Sequence, residues 1–200
     1  MTFSACAGFC LMILTNQFIF AQKKFKDGDI IFQASYSQQS KAVEEATNSP
    51  YSHCGLIFYE KDIPYVYEAV QPVGKRNLIE WIDSGVDGKY VVMRLKDTSL
   101  LSNNNIEKLK AYANYQFGKN YDIYFGWSDK EWYCSELVWK TYKSVLAIEL
   151  AKTKPLREFH IDSPIVRKTM ANRYGNNIPY DEQMISPGQL FESNQLYQVK

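Results

Sequence analysis

Apolar residues in this chain fall in short runs whose period changes along its length, reading as strands in the first half and amphipathic helices in the second. After the turn Lys26-Asp27-Gly28-Asp29, the run Ile30-Ile31-Phe32 predicts a short buried strand. A polar stretch follows, and Ser40 is placed to cap a helix over 41–47 that Asn48-Ser49-Pro50 ends. Residues 52–59 and 65–70 read as two strands joined by a four-residue hairpin loop over 60–63. Residues 75–88 suggest a short helix in loop surroundings, and 90–95 a further strand. Asn103-Asn104-Asn105 can cap a helix with Ile106, Leu109, Ala113 and Phe117 on its core side and Gly118 as its stop. Leu137, Val138, Thr141, Tyr142 and Val145 follow Cys134 at helical spacing, so Cys134 heads the buried face of another helix. Its start is open: Ser128-x-x-Glu131 fits a capping box, while a start just before Cys134 would bring the thiol to the positive end of the helix dipole. Residues 165–174 have helical character, Ser186-Pro187-Gly188-Gln189 is a clean helix start, and 196–199 suits an edge strand.

The totals narrow the setting. Basic and acidic residues number 23 and 22, giving a net charge of +1, and they are interspersed, so there is no electrostatic footprint for nucleic acid. Residues 1–22 carry no charged side chain, and 9–20 is largely apolar. This reads as an export signal over 1–21 with a single domain over 22–200, which makes the protein exported, in the periplasm or cell envelope. The rival is an uncleaved anchor, for which the apolar run is short against a bilayer span of about 20 residues. Beyond the leader only Cys54 and Cys134 remain, which is not a disulfide scaffold. With two histidines in all and no Cys-x-x-Cys, neither a metal nor another cofactor is expected.

Two features carry chemistry. A thiol at a helix N-terminus is biased toward thiolate, although a free cysteine is more often an inert buried residue. The second is the hairpin. Alternation sets His53, Gly55 and Ile57 on one face and Cys54, Leu56 and Phe58 on the other. Tyr59 pairs with Pro64 in this register, Gly55 falls opposite Glu68, and Glu68 becomes the diagonal neighbour of His53, about 7–8 Å away at Cα. Gly55 leaves that face open for something to approach. A carboxylate there would hold the ring and favour its imidazolium form, as in nucleophile–base–orienter arrangements; the bland alternative is a solvated strand face.

Taken together, Gly28-Asp29-Ile30-Ile31-Phe32-Gln33, Ser52-His53-x-Gly55-Leu56, Tyr67-Glu68-Ala69, Tyr121-Asp122 and Tyr133-Cys134-Ser135-Glu136-Leu137 resemble the YiiX-like branch of the permuted NlpC-type, papain-like cysteine hydrolases. The likeness runs from about residue 26 through Ser186-Pro187. It implies an α+β, circularly permuted papain-like fold in which an antiparallel sheet packs on the cysteine-bearing helix. The permutation accounts for His53 preceding Cys134. The resemblance assigns Cys134 as nucleophile, His53 as base and Glu68 as orienting residue, and favours a helix beginning close to Cys134. Gln33, Tyr121 and Tyr133 either line the pocket, assisting the oxyanion, or pack in the core. The implied reaction is hydrolysis of an amide or ester through a thioester, on cell-envelope peptide or lipid acyl substrates. The other reading is a non-catalytic module binding peptide or lipid in the same groove.

Overall fold

The structure, a computed structural model, describes residues 25–199. The expected leader over 1–21 lies outside them. Strands β1 (Ile30–Gln33), β2 (His53–Glu60), β3 (Ile63–Glu68), β4 (Gly74–Asn77) and β5 (Val91–Leu95) join a C-terminal β10 (Leu196–Gln198). These six form an antiparallel sheet in the order β10-β5-β1-β2-β3-β4. Two small ladders pair β6 (Asn120–Tyr121) with β7 (Glu131–Trp132), and β8 (Lys154–Pro155) with β9 (Gln183–Met184). The helices are α1 (Gln38–Thr47), α2 (Leu78–Asp83), α3 (Asn103–Asn114), α4 (Cys134–Leu146), α5 (Pro164–Tyr174) and α6 (Pro187–Phe191).

Alternation along the strands divides the core between the two faces of the sheet. Ile30, Phe32, Cys54, Leu56, Phe58 and Tyr67 pack on one side with Leu109 and Ala113 of α3 and Val138 and Tyr142 of α4. Ile31, Ile57, Val66 and Val92 pack on the other side with Leu78 and Trp81 of α2. Leu137, Val138 and Tyr142 are fully buried, and burial of a Leu or Val side chain contributes about 1.5–3 kcal/mol. That burial fixes α4 on the sheet and with it the position of Cys134. At the other end of α4 the Tyr142 hydroxyl donates to the Gly28 carbonyl at 2.5 Å, tying the helix to the strand that opens the fold. A smaller cluster, Leu156, Phe159, Val166, Met170 and Met184, gathers α5 and the β8–β9 ladder beside Ala46 of α1.

Several local expectations are corrected. The hairpin register is as read, Tyr59 opposite Pro64, but the loop is only Lys61-Asp62, with φ of 49° and 67°. Two left-handed residues match strand twist in a tight hairpin, and the Lys-Asp pair lacks the usual Gly signal for one. Ser37, not Ser40, caps α1 by accepting from the Ser40 N–H at 3.0 Å. Ser102, just ahead of the asparagines, caps α3. Gly118 (φ 83°) lies past the helix C-cap at Tyr115 rather than at its stop. Residues 74–77 form the edge strand β4, whose polar Gly-Lys-Arg-Asn sequence hid it from a search for apolar alternation. The start at Ser186, with its reciprocal Gln189 cap, and the edge strand near the C-terminus are present as expected.

Candidate active site

Cys134 is the first residue of α4, with Tyr133 as N-cap. Glu136 reaches back to accept from the Tyr133 N–H at 3.4 Å. The Ser128 capping box is not used, because Glu131 belongs to β7. The thiol therefore sits where the helix N–H groups have no intrahelical acceptor.

His53 is likewise the first residue of its element, β2. Helix α4 packs on the Cys54 face of the sheet while His53 projects toward the Trp81 face, and the two groups meet because both stand at the end of the element that carries them. The Cys134 sulfur lies 4.0 Å from the Ser52 carbonyl oxygen. Ser52 is itself held, its hydroxyl bonded to Ser40, which donates to Glu44 at 2.8 Å.

Opposing influences meet on the sulfur. Donation from the Cys54 side chain holds the Cys134 thiol well below its ordinary range; burial opposes this, and hydrogen bonding and charge from His53 reinforce it. Burial pushes His53 down, but Cys134 and then Glu68 outweigh it, leaving the ring raised to about 10. Burial also pushes Glu68 up, and His53, Arg76 and Trp81 more than offset it, so this carboxyl is lowered. These influences favour a thiolate beside an imidazolium backed by a carboxylate, an arrangement suited to nucleophile–base–orienter chemistry.

The His53–Glu68 neighbourhood inferred from the register is realised as a 2.5 Å contact between His53 Nε2 and Glu68 Oε2. Nδ1 is thereby left for the sulfur. The Trp81 indole N–H donates to the same Glu68 oxygen at 2.8 Å, and its ring stacks on His53 at 5.9 Å between centroids. Arg76 lies 3.0 Å from Glu68 Oε1. Trp81, Arg76, Cys54 and Ser52 were missed by sequence reasoning.

Gly55 does not open the face to a ligand. A Cβ there would run into Val66 Cγ1 and lie 2.8 Å from the Tyr67 carbonyl oxygen, so the glycine lets β3 approach closely and brings Glu68 to His53. Of the remaining residues singled out, Gln33 pairs with His53 across the β1–β2 ladder and donates to Ser84 Oγ at 3.3 Å. The Tyr121 hydroxyl accepts from Gln39 Nε2 at 3.1 Å and faces the cleft that contains Cys134. The Tyr133 ring borders that cleft, while its hydroxyl accepts from the Ile185 N–H at 3.2 Å, bracing the segment before α6.

Comparison with known proteins bears on the family and the fold. The family described as permuted papain-like amidase enzyme, YaeF/YiiX, C92 family, matches residues 24–200. A protein of Escherichia coli K12, named uncharacterized protein YiiX, is 45% identical over 172 residues, 86% of this chain and 84% of the relative. A solved structure described as metalloprotein yiiX from Escherichia coli O157:H7 superposes with a TM-score of 0.85 at 44% identity, covering 88% of this chain and 97% of that one. Among the described residues of this chain no three His, Cys, Asp or Glu side chains are disposed to hold an ion, and His53 Nε2 is engaged by Glu68. With its family matched over nearly its whole length and its antiparallel sheet packed on a cysteine-headed helix, the chain belongs to the permuted papain-like amidases of the YaeF/YiiX family.

Proposed function

We propose that this protein is a cysteine hydrolase that cleaves an amide or ester through a thioester acyl-enzyme. The observation that carries the reading is the charge relay of distances and shifts at one cleft: a depressed Cys134 thiol, a raised His53 and a Glu68 carboxylate 2.5 Å from the ring. The Cys134 thiolate attacks the carbonyl carbon and the C–S bond forms. The tetrahedral oxyanion is within the field of the α4 N-terminus, with the Cys134 N–H as donor. The C–N or C–O bond then breaks as His53 gives its proton to the departing nitrogen or oxygen. Water, deprotonated by His53, attacks the thioester carbonyl, the C–S bond breaks, the acid leaves, and the Cys134 thiolate is regenerated beside protonated His53. Glu68 holds the ring oriented throughout and favours its charged form in the resting enzyme.

An exported, cell-envelope setting with peptide or acyl-bearing envelope substrates goes with this reading, resting on the leader-like residues 1–21. The test pairs a panel of muropeptides and acyl esters with iodoacetamide labelling located by mass spectrometry. Cys134→Ala and His53→Ala are expected to lower turnover by on the order of 10³-fold or more, and label is expected on Cys134 in the wild type. Unchanged label uptake in Cys134→Ala, or turnover that survives it, would refute the reading.

A further inference from the structure

The cleft has two arms of opposite character that share Gln39, Val43, Ser52 and Tyr121. The first arm contains Cys134 and runs between α1, α5 and the β8–β9 ladder. Its walls are chiefly apolar, with Ala46, Leu156, Phe159, Val166 and Met170 prominent. The second arm contains His53 and Glu68 and is polar, with Ser35, Ser37, Ser84 and Arg76 in its walls.

Chemistry assigns each arm to one half of a substrate. The acyl carbon becomes bonded to Cys134, and the leaving atom must take its proton from His53. The acyl half therefore belongs in the arm that Cys134 lines, and the leaving half in the arm that His53 lines.

One residue in the acyl arm does not fit an apolar occupant. Arg173 is the single charged side chain lining it. Its guanidinium lies 4.5 Å from the Phe125 ring centre, and one N–H group donates to Gln39 Oε1 at 3.2 Å. The Tyr174 side chain also hydrogen-bonds with it. These neighbours carry no carboxylate, and among the described residues none is within ion-pair distance of Arg173. Arginine has five donors in a fork that suits a carboxylate, more than Gln39 and Tyr174 together engage. The aromatic face under the guanidinium and the amide beside it hold its direction. Gln39 also donates to Tyr121, so the same residue links the cation to the cleft centre.

We propose that the apolar arm holds the acyl half of the substrate, a largely apolar chain carrying a carboxylate that pairs with Arg173, and that the polar arm receives a polar leaving group. The assignment of halves rests on the cysteine-hydrolase reading above; the Arg173 anchor does not.

The experiment compares p-nitrophenyl hexanoate with p-nitrophenyl hydrogen adipate, esters of matched chain length that differ by a terminal carboxylate. The wild type is expected to favour the adipate hemiester by about tenfold to a hundredfold in kcat/KM, the range of a charged hydrogen-bonded pair. Arg173→Met is expected to erase the preference by slowing the adipate hemiester far more than the hexanoate ester, and Arg173→Lys to keep part of it. Equal rates on the two esters, or a preference that survives Arg173→Met, would overturn the proposal. In parallel, binding of octanoate and octanamide to Cys134→Ala is measured by calorimetry. If neither ester is turned over while octanoate still binds about tenfold tighter than octanamide, and loses that advantage in Cys134→Ala/Arg173→Met, the anchor stands and the hydrolase reading fails. Equal binding of the two would overturn the anchor.

Discussion

Replacing Glu68 by Gln removes one charge and little volume from the point where three donors converge. Glu68 Oε2 takes the His53 Nε2–H at 2.5 Å and the Trp81 indole N–H at 2.8 Å, while Arg76 lies 3.0 Å from Oε1. The carboxamide has a single acceptor oxygen, so one donor among these would face an NH₂ group. The imidazolium also loses its buried counter-charge. A hydrogen bond to a charged group contributes about 1.5–3 kcal/mol, and one pKa unit corresponds to about 1.4 kcal/mol. The His53 pKa, raised to about 10 in the native protein, should therefore fall by about one to two units. Activity that needs thiolate and imidazolium together rises with pH through the Cys134 ionisation and falls as His53 loses its proton. The alkaline limb of the kcat/KM profile should accordingly move down by about one to two pH units in Glu68→Gln, leaving a reduced maximal rate. The acid limb should move up, because a less firmly charged ring stabilises the thiolate less. The assay is ester hydrolysis across pH with iodoacetamide inactivation as a second readout. An alkaline limb that stays in place in the variant would refute the argument that Glu68 holds the charge on His53.

Two further changes probe the scaffold beneath the site. Gly55→Ala forces a methyl against Val66 and the Tyr67 carbonyl, so it should cost about 1–3 kcal/mol in urea denaturation and lower turnover by displacing Glu68, whose Cβ is 3.4 Å from the added atom; wild-type stability would show that β2 and β3 can part more easily than their packing implies. Arg94→Met leaves Asp29, wholly buried and bonded to Arg94 at 2.6 and 2.7 Å, without its partner, at a cost of about 3–5 kcal/mol near neutral pH. Burial already raises the Asp29 pKa against the pull of Arg94, so its folded state favours the protonated carboxyl. That preference stabilises the fold at low pH and is lost as pH rises through the folded value, and removing Arg94 strengthens it. The deficit of the variant should thus be smallest near pH 4 and grow toward neutrality; a deficit independent of pH would argue that lost packing, not the stranded charge, dominates.

How far the chain could be read before folding follows from the range of the interactions involved. His53 and Glu68 lie 15 residues apart in one hairpin, and strict alternation with a single pairing, Tyr59 opposite Pro64, is enough to bring them together. The buried face of α4 and the Ser186 cap are likewise local patterns that no distant segment can alter. The hairpin loop escaped because Lys61-Asp62 takes up left-handed backbone without the residues that advertise it. The β4 strand escaped because an edge needs no apolar alternation.

What remained belongs to packing across the fold. Whether the cysteine helix starts at Ser128 or Cys134 was decided when Glu131 paired into β7, an event set by a neighbouring strand and not by the capping code. Trp81 and Arg76 converge on Glu68 from α2 and β4, and Cys54 donates to the Cys134 sulfur only because α4 lies on that face of β2. The shifts that favour thiolate and imidazolium come from partners acting against burial: Cys54 and His53 on the sulfur, and on the ring Cys134 and Glu68, 81 and 15 residues away from His53. The apolar arm with Arg173 at its wall is assembled from α1, α5 and the β8–β9 ladder. Periodicity reports which face of an element avoids water; desolvation and the convergence of charges exist only once those faces have met.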